Sequence, residues 1–222
     1  SMVTILPAIL QLTREGLAQE MERLGMLSPF LHIDVTGSLV DAPAVVFTPT
    51  DCTELFSDNS LGVQMSMHCM LAHDELESWV PTLCSIDAVN AIVIHHEIGQ
   101  GVLLWAQTIR AARKAVHVAL NPAASLDVVD GYHAFVDGVV VMGVEPGAQG
   151  KAFHESTFDR VRQLHQKYPS LMITVDGGVN LEAKRAQKLA QAGAETLIVG
   201  SMIRDAHDPQ AVFDALTAAV NT

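Results

Sequence analysis

Eight short apolar runs recur along the 222-residue chain, and they constrain its fold more than any other feature. They fall at residues 3–10, 29–35, 62–70, 90–95, 115–120, 137–142, 171–176 and 195–200. Several are rich in Val and Ile, and none alternates cleanly between apolar and polar residues. A strand with one wet face must alternate. A strand buried on both faces need not, and that is the condition of a parallel sheet covered by helices.

Helical patterns fill most of the intervals. Residues 12–25 place Leu12, Leu17, Met21 and Leu24 on one stripe, with Thr13 able to cap the start. Residues 74–85 open on an acidic cap and carry Pro81 where it is expected to disturb the middle. Residues 101–115 end in Arg and Lys, which complement the helix dipole. Residues 156–169 start at Ser156 as cap and stop near Pro169. Residues 180–193 run from Asn180 as cap to Gly193. The last pattern opens on Asp208 followed by Pro209. Strands separated by helices or crossovers predict an α/β chain, folded as one closed (β/α)8 TIM barrel over residues 1–222. An open doubly wound sheet is the competitor. No G-x-G-x-x-G turn follows the first strand, which removes that fold's best dinucleotide signature.

Composition narrows the class of partner. Hydrophobic residues make up 49% and charged residues 17%, which favours a packed globular chain over a disordered one. A formal net charge of −12 speaks against nucleic acid and against anionic membrane as partners. It leaves room for an anionic substrate at a locally positive site. Cys52, Cys69 and Cys84 show neither metal-binding nor redox spacing, and their odd number argues against a disulfide framework. No apolar run reaches the roughly 18 residues of a membrane span. The opening residues are too few and too poor in basic side chains for a secretory signal. Ser1 before Met2 reads as an expression scar, and the expected location is cytoplasmic.

In a barrel, chemistry collects at the C-terminal ends of the strands. His32 and Asp34 lie there on the second strand, His68 on the third and Asp176 on the seventh. A spacing of two puts His32 and Asp34 on one face. Two imidazoles and two carboxylates would suit one divalent ion, Zn²⁺, Fe²⁺, Mn²⁺ or Co²⁺ rather than Ca²⁺. The plainer alternative is four separate polar side chains bonded to loop backbone. Glycines gather after the last three strands, in GVEPGAQGKAF at 143–153, DGGVN at 176–180 and GSMIR at 200–204. Backbone N–H groups in such turns can cradle a phosphate. Tight turns alone would also use glycine.

HIDV at 32–35, MHCM at 67–70, ALNP at 119–122, VEPG at 144–147, VDGGV at 175–179 and VGS at 199–201 follow one another in a telling order. In that order the chain resembles the ribulose-phosphate 3-epimerases, from about residue 5 to about residue 220. The resemblance implies metal ligands at His32, Asp34, His68 and Asp176, with Asp34 and Asp176 as the acid–base pair. It implies phosphate contacts from Gly147, Gly177, Gly178, Gly200 and Ser201. It implies a metal-dependent isomerase that inverts C3 of a ketose phosphate, D-ribulose 5-phosphate or a relative, through an enediolate. A homo-oligomer is the expected assembly. His95 and Glu97 stand where the family has a similar histidine–x–glutamate, and Glu145 lies near the site, so these three are candidates to contact the ligands or the substrate. Hexulose-phosphate synthases and orotidine-phosphate decarboxylases are related barrels, so a lyase or synthase is the second reading. A sugar-phosphate-binding barrel without turnover is the third.

Several positions leave the family pattern. Thr36, Gly37 and Ser38 replace methionine, aspartate and glycine after the second-strand aspartate. Ala8 stands for a serine, and Ser66 for an aspartate before the third-strand histidine. EPGAQGK replaces an asparagine–proline–glycine–phenylalanine–glycine–glycine–glutamine loop, which brings in Glu145 and Lys151. These changes are expected to alter the floor and walls of the pocket. His117 reads as a core or strand-end histidine, Met65, Met67 and Met70 as barrel filling, and Trp79 and Trp105 as packing on the outer wall.

Overall fold

Strands without polar alternation need cover on both faces, and closure into a barrel provides it. In the computed structural model, β1 (Thr4–Ile9), β2 (Phe30–Thr36), β3 (Gln64–Met70), β4 (Val89–His95), β5 (Ala115–Leu120), β6 (Gly138–Met142), β7 (Met172–Asp176) and β8 (Thr196–Val199) pair in chain order. All pairs are parallel, and β8 returns to β1. The structure describes residues 2–147 and 151–222. Ser1 and the Ala148–Gly150 portion of the glycine-bearing loop after β6 lie outside the described residues.

Two apolar layers hold the barrel. The inner one is small: Leu6, Ala8, Val93, Ala119, Val140, Met142 and Ile198 fill the interior. The outer one lies between strands and helices and includes Ile33, Met65, Met67, Leu76, Ile92, Ile109, Val141, Leu164 and Leu189. Met65 and Met67 therefore pack outward against helices rather than inside the barrel. Trp79 and Trp105 belong to the same outer layer, as expected. His117 faces the barrel's N-terminal mouth, where burial pushes its pKa down to about 4.

The helices are α1 (Arg14–Leu24), α2 (Pro49–Ser57), α3 (His73–Cys84), α4 (Gly101–Ala111), α5 (Thr157–Lys167), α6 (Arg185–Ala192), the one-turn α7 (Ser201–Arg204) and α8 (Pro209–Val220). Two short 3₁₀ helices, Leu126–Gly131 and His133–Phe135, connect β5 to β6. Among the described residues, no helix is long and apolar enough to cross a membrane.

Side-chain caps set the starts of α1, α2 and α8. Thr13 accepts from Gly16 N, and Asp208 accepts from Ala211 N, as expected. Four expectations need correction. No helix was expected before β3, yet α2 forms. Its signal is a capping box in which Thr48 and Asp51 bond each other's backbone, with Pro49 at the first position. Its weak apolar face, with only Cys52 and Phe56 buried, hides it from a periodicity reading. In α3 the acidic residues lie inside the first turn. Glu75 reaches back to Ala72 N, and the helix continues through Pro81. Ser156 makes no side-chain cap; Thr157 Oγ1 donates to His154 O instead. Asn180 does not start α6, because Ala183 and Lys184 take left-handed backbone and delay the helix to Arg185.

Candidate functional site

Register brings the ionisable strand ends together. Asp34 lies beside His68 in the β2–β3 ladder, and Asp176 closes β7 beside Met142 of β6. One ligand atom from each of His32, Asp34, His68 and Asp176 lies within 4.8 Å of all the others. His32 Nε2 is 3.2 Å from His68 Nδ1, and His68 Nδ1 is 3.2 Å from both Asp34 Oδ1 and Asp176 Oδ2. His32 Nε2 is 3.4 Å from Asp34 Oδ1 and 3.7 Å from Asp176 Oδ2. Ligands about 2.0–2.2 Å from one ion at tetrahedral or octahedral angles stand roughly 2.9–3.5 Å apart. Most of the observed spacings fall in or beside that range, and the donor set is mixed N/O, so a divalent ion fits.

The electrostatics agree. Burial pushes the His68 imidazole down, but Asp176 and Asp34 outweigh it and hold its pKa at about 9. Burial likewise lowers His32, and the same two carboxylates more than offset this. Burial raises Asp34 and Asp176, yet His32 and His68 hold both below the ordinary carboxylate range. The cluster thus favours positive charge at its centre, whether a proton or a metal ion carries it.

Each imidazole is held from behind. With Nε2 facing the cluster, His32 carries its proton on Nδ1, 3.3 Å from the Ser66 hydroxyl. With Nδ1 facing the cluster, His68 donates from Nε2 to His95 Nε2 at 2.8 Å. Burial first, and the charge of His68 as well, lower the His95 pKa and so keep it the neutral acceptor that this bond needs. His95 Nδ1 lies 3.4 Å from Glu97 Oε2, and Glu97 Oε1 accepts from Asn121 Nδ2. His68 thus bonds His95 and Glu97 bonds Asn121 of the loop after β5, while His95 Nδ1 approaches Glu97 without hydrogen-bond geometry.

The cluster opens into a cavity of about 480 Å³ at the C-terminal mouth. Gly147, Gly177, Gly178, Gly200 and Ser201 line it together with Asp34, His68 and Asp176. Gly147, Gly177 and Gly178 have φ of +86°, +97° and +71°, conformations that favour glycine. Met70 and Met142 line the wall, so one of the three β3 methionines does reach the pocket. Glu145 sits at the rim, where its carboxylate lies 3.8 Å from His154 Nε2, outside the four-residue cluster. Lys151 also lines the cavity.

Gly143 couples the β6 loop to the site. Its N–H donates to Asp176 O at 2.7 Å, and a Cβ there would run into the Gly177 carbonyl and the Phe153 ring. Gly143→Ala should lower stability by roughly 1–3 kcal/mol, because backbone must shift to accommodate it. A urea midpoint equal to that of the parent protein would refute this packing.

The departures from the family pattern act in different places. Ala8 does line the cavity. Thr36, Gly37 and Ser38 do not. Thr36 is buried and donates to Pro43 O at 2.7 Å. A Cβ on Gly37 would meet Leu71 and Glu75, and Ser38 donates to Glu75 from both N and Oγ. Thr36 thus ties the β2–α2 loop to the end of its own strand, and Gly37 and Ser38 hold that loop against α3. Ser66, expected only as the loss of a carboxylate, is the partner of His32. Asn121, Phe153 and Arg185 were missed as site residues. Asn121 lay in plain view in ALNP, but nothing in the sequence tied it to Glu97.

The ribulose-phosphate 3 epimerase family matches residues 4–204 of this chain. The ribulose-phosphate 3-epimerase of Schizosaccharomyces pombe is 27% identical over 97% of this chain and 93% of its own. The protein named ribulose-phosphate 3-epimerase, cytoplasmic isoform, of Oryza sativa subsp. japonica is 29% identical over 97% and 93%. Among solved structures, 3-hexulose-6-phosphate synthase from Salmonella typhimurium has a TM-score of 0.71 at 15% identity, covering 98% of each chain. That likeness speaks for the fold alone.

Proposed function

The chain belongs to the ribulose-phosphate 3-epimerase family, and from that premise we propose that it inverts C3 of D-ribulose 5-phosphate or a close ketose-phosphate relative. The observation that carries this is the convergence of Asp34 from β2 and Asp176 from β7 on one imidazole pair at the cavity floor. Epimerisation beside a ketone needs a base on one face of the planar enediolate and an acid on the other. Two carboxylates from different strands can supply both. One takes the C3 proton and the other returns a proton to the opposite face. The same imidazoles hold both carboxylates below the ordinary range, so the one that returns a proton must first gain it from within the cluster, and the four groups titrate as one unit.

His32, Asp34, His68 and Asp176 would hold one divalent ion, Zn²⁺, Fe²⁺, Mn²⁺ or Co²⁺. When bound, such an ion supplies Lewis-acid stabilisation of the negative charge that develops on the substrate oxygens. His95, Glu97 and Ser66 orient the imidazoles. Backbone N–H groups of Gly147, Gly177, Gly178, Gly200 and Ser201 bind the phosphate and hold the sugar in register, so remote binding contributes to rate. The same reading makes the protein a cytoplasmic homo-oligomer, with a sugar phosphate rather than nucleic acid or membrane as its partner.

Incubation with D-ribulose 5-phosphate in D₂O tests the proposal. The expected result is deuterium at C3 together with xylulose 5-phosphate. Neither exchange nor product, with any of the four ions added, would refute it.

A further inference from the structure

Charges of both signs line the cavity, and those of the cluster are spent on one another: Asp34 and Asp176 face His68, while Glu145 and Glu182 stand with Lys151, Arg185 and Arg204 on the walls. A phosphate dianion entering such a cavity is drawn to a cation that stands close to it. The three cations are not equivalent. Arg204 is engaged, with Nε and Nη2 donating to Asp205 at 2.8 and 3.0 Å. Lys151 is exposed on a flexible stem. Arg185 is half-buried, and its described contacts carry no charge. Its Nη1 donates to Gly178 O at 2.7 Å, and its guanidinium lies 4.2 Å over the Phe153 ring.

The ring is itself fixed. Phe153 packs edge-on against Phe158 at 5.5 Å, and a Cβ on Gly178 would come within 2.8 Å of it. The glycine turn, the ring and the guanidinium therefore form one packed unit beside Gly177 and Gly178. A guanidinium has five N–H donors in a fork that matches phosphate oxygens, and Arg185 uses one side of the fork on Gly178. Backbone geometry puts it there. Ala183 and Lys184 take φ of +49° and +59° immediately before it, and such left-handed residues cost on the order of 1–3 kcal/mol each. A helix running unbroken from Asn180 would carry Arg185 along another path.

We propose that Arg185 is a side-chain ligand of the substrate phosphate, aimed by Phe153 and the Gly178 carbonyl. Phosphate recognition in this chain then rests on a guanidinium as well as on backbone N–H groups. This inference builds on the sugar-phosphate reading of the site.

Two measurements on the metal-loaded full chain test it: calorimetric binding of inorganic phosphate, and the KM for D-ribulose 5-phosphate. Arg185→Gln should weaken phosphate binding and raise KM by about tenfold or more, with a smaller change in kcat. Arg185→Lys should fall between the two, because it keeps the charge and loses the fork. Phe153→Leu should give a smaller loss in the same direction. Phosphate binding and KM unchanged in a folded Arg185→Gln protein would overturn the proposal, as would a parent protein that binds no phosphate. Should the Gln variant fail to fold, unchanged values in both Arg185→Lys and Phe153→Leu overturn it equally. A parent protein that binds phosphate through Arg185 without turning over the sugar would sustain the ligand and sink the epimerase reading.

Discussion

Asp176→Asn lowers kcat by about 10³–10⁴-fold, the upper part of what a positioned acid–base group contributes. The amide keeps the shape of the side chain and removes its basicity. It also removes the strongest influence that holds His68 protonated, since Asp176 lies 3.2 Å from His68 Nδ1. Asp34→Asn should act similarly from β2. The two variants are expected to differ in isotope exchange. With one carboxylate left, each should exchange the C3 proton of one epimer in D₂O and convert little of it to the other. Steady-state rates and mass spectrometry of recovered substrate read both effects. Retention of conversion within tenfold of the parent in both variants would remove the two-carboxylate scheme.

Stripping the divalent ion with a chelator should cut turnover by about 10³-fold, since Lewis-acid stabilisation is worth several kcal/mol. Adding back Zn²⁺, Fe²⁺, Mn²⁺ or Co²⁺ should restore it. Full activity after stripping would exclude the role assigned to the ion. The metal-free protein has a second, independent signature. The folded pKa of His68, about 9, lies above its ordinary 6.5. Its contribution to stability is therefore complete below pH 6.5 and lost as pH rises through about 9. At 1.36 kcal/mol per unit this is on the order of 3 kcal/mol, or a fall in Tm of roughly 6–12 °C across that window. Asp34 and Asp176 are shifted the other way, so their contribution is present above the ordinary 3.8 and lost as pH falls. Melting curves of chelated protein should fall on the alkaline side, and His68→Gln should flatten that slope. A flat profile in the chelated parent would refute the proton-holding cluster.

The strands, their order and the four clustered side chains were all readable in the chain. Buried parallel strands impose an apolar run that survives without tertiary information, and a spacing of two aligns His32 with Asp34 on any strand. The outer partners were not readable. Ser66 becomes the partner of His32 because the β2–β3 register sets them side by side. Thr36, Gly37 and Ser38 look like pocket residues by position, yet α3 and the loop carbonyl of Pro43 claim them.

Local pattern thus settled the eight strands, the caps Thr13 and Asp208, and the placing of His32, Asp34, His68 and Asp176 at strand ends, because period, propensity and capping act over a few neighbouring residues. Closure of the barrel decided the rest. It set the distances between residues from different strands, linked His68 to His95 and Glu97 to Asn121, and let two left-handed residues carry Arg185 beside the Gly178 turn. Those relations depend on register and packing between segments far apart in the chain, and no short window of sequence encodes them.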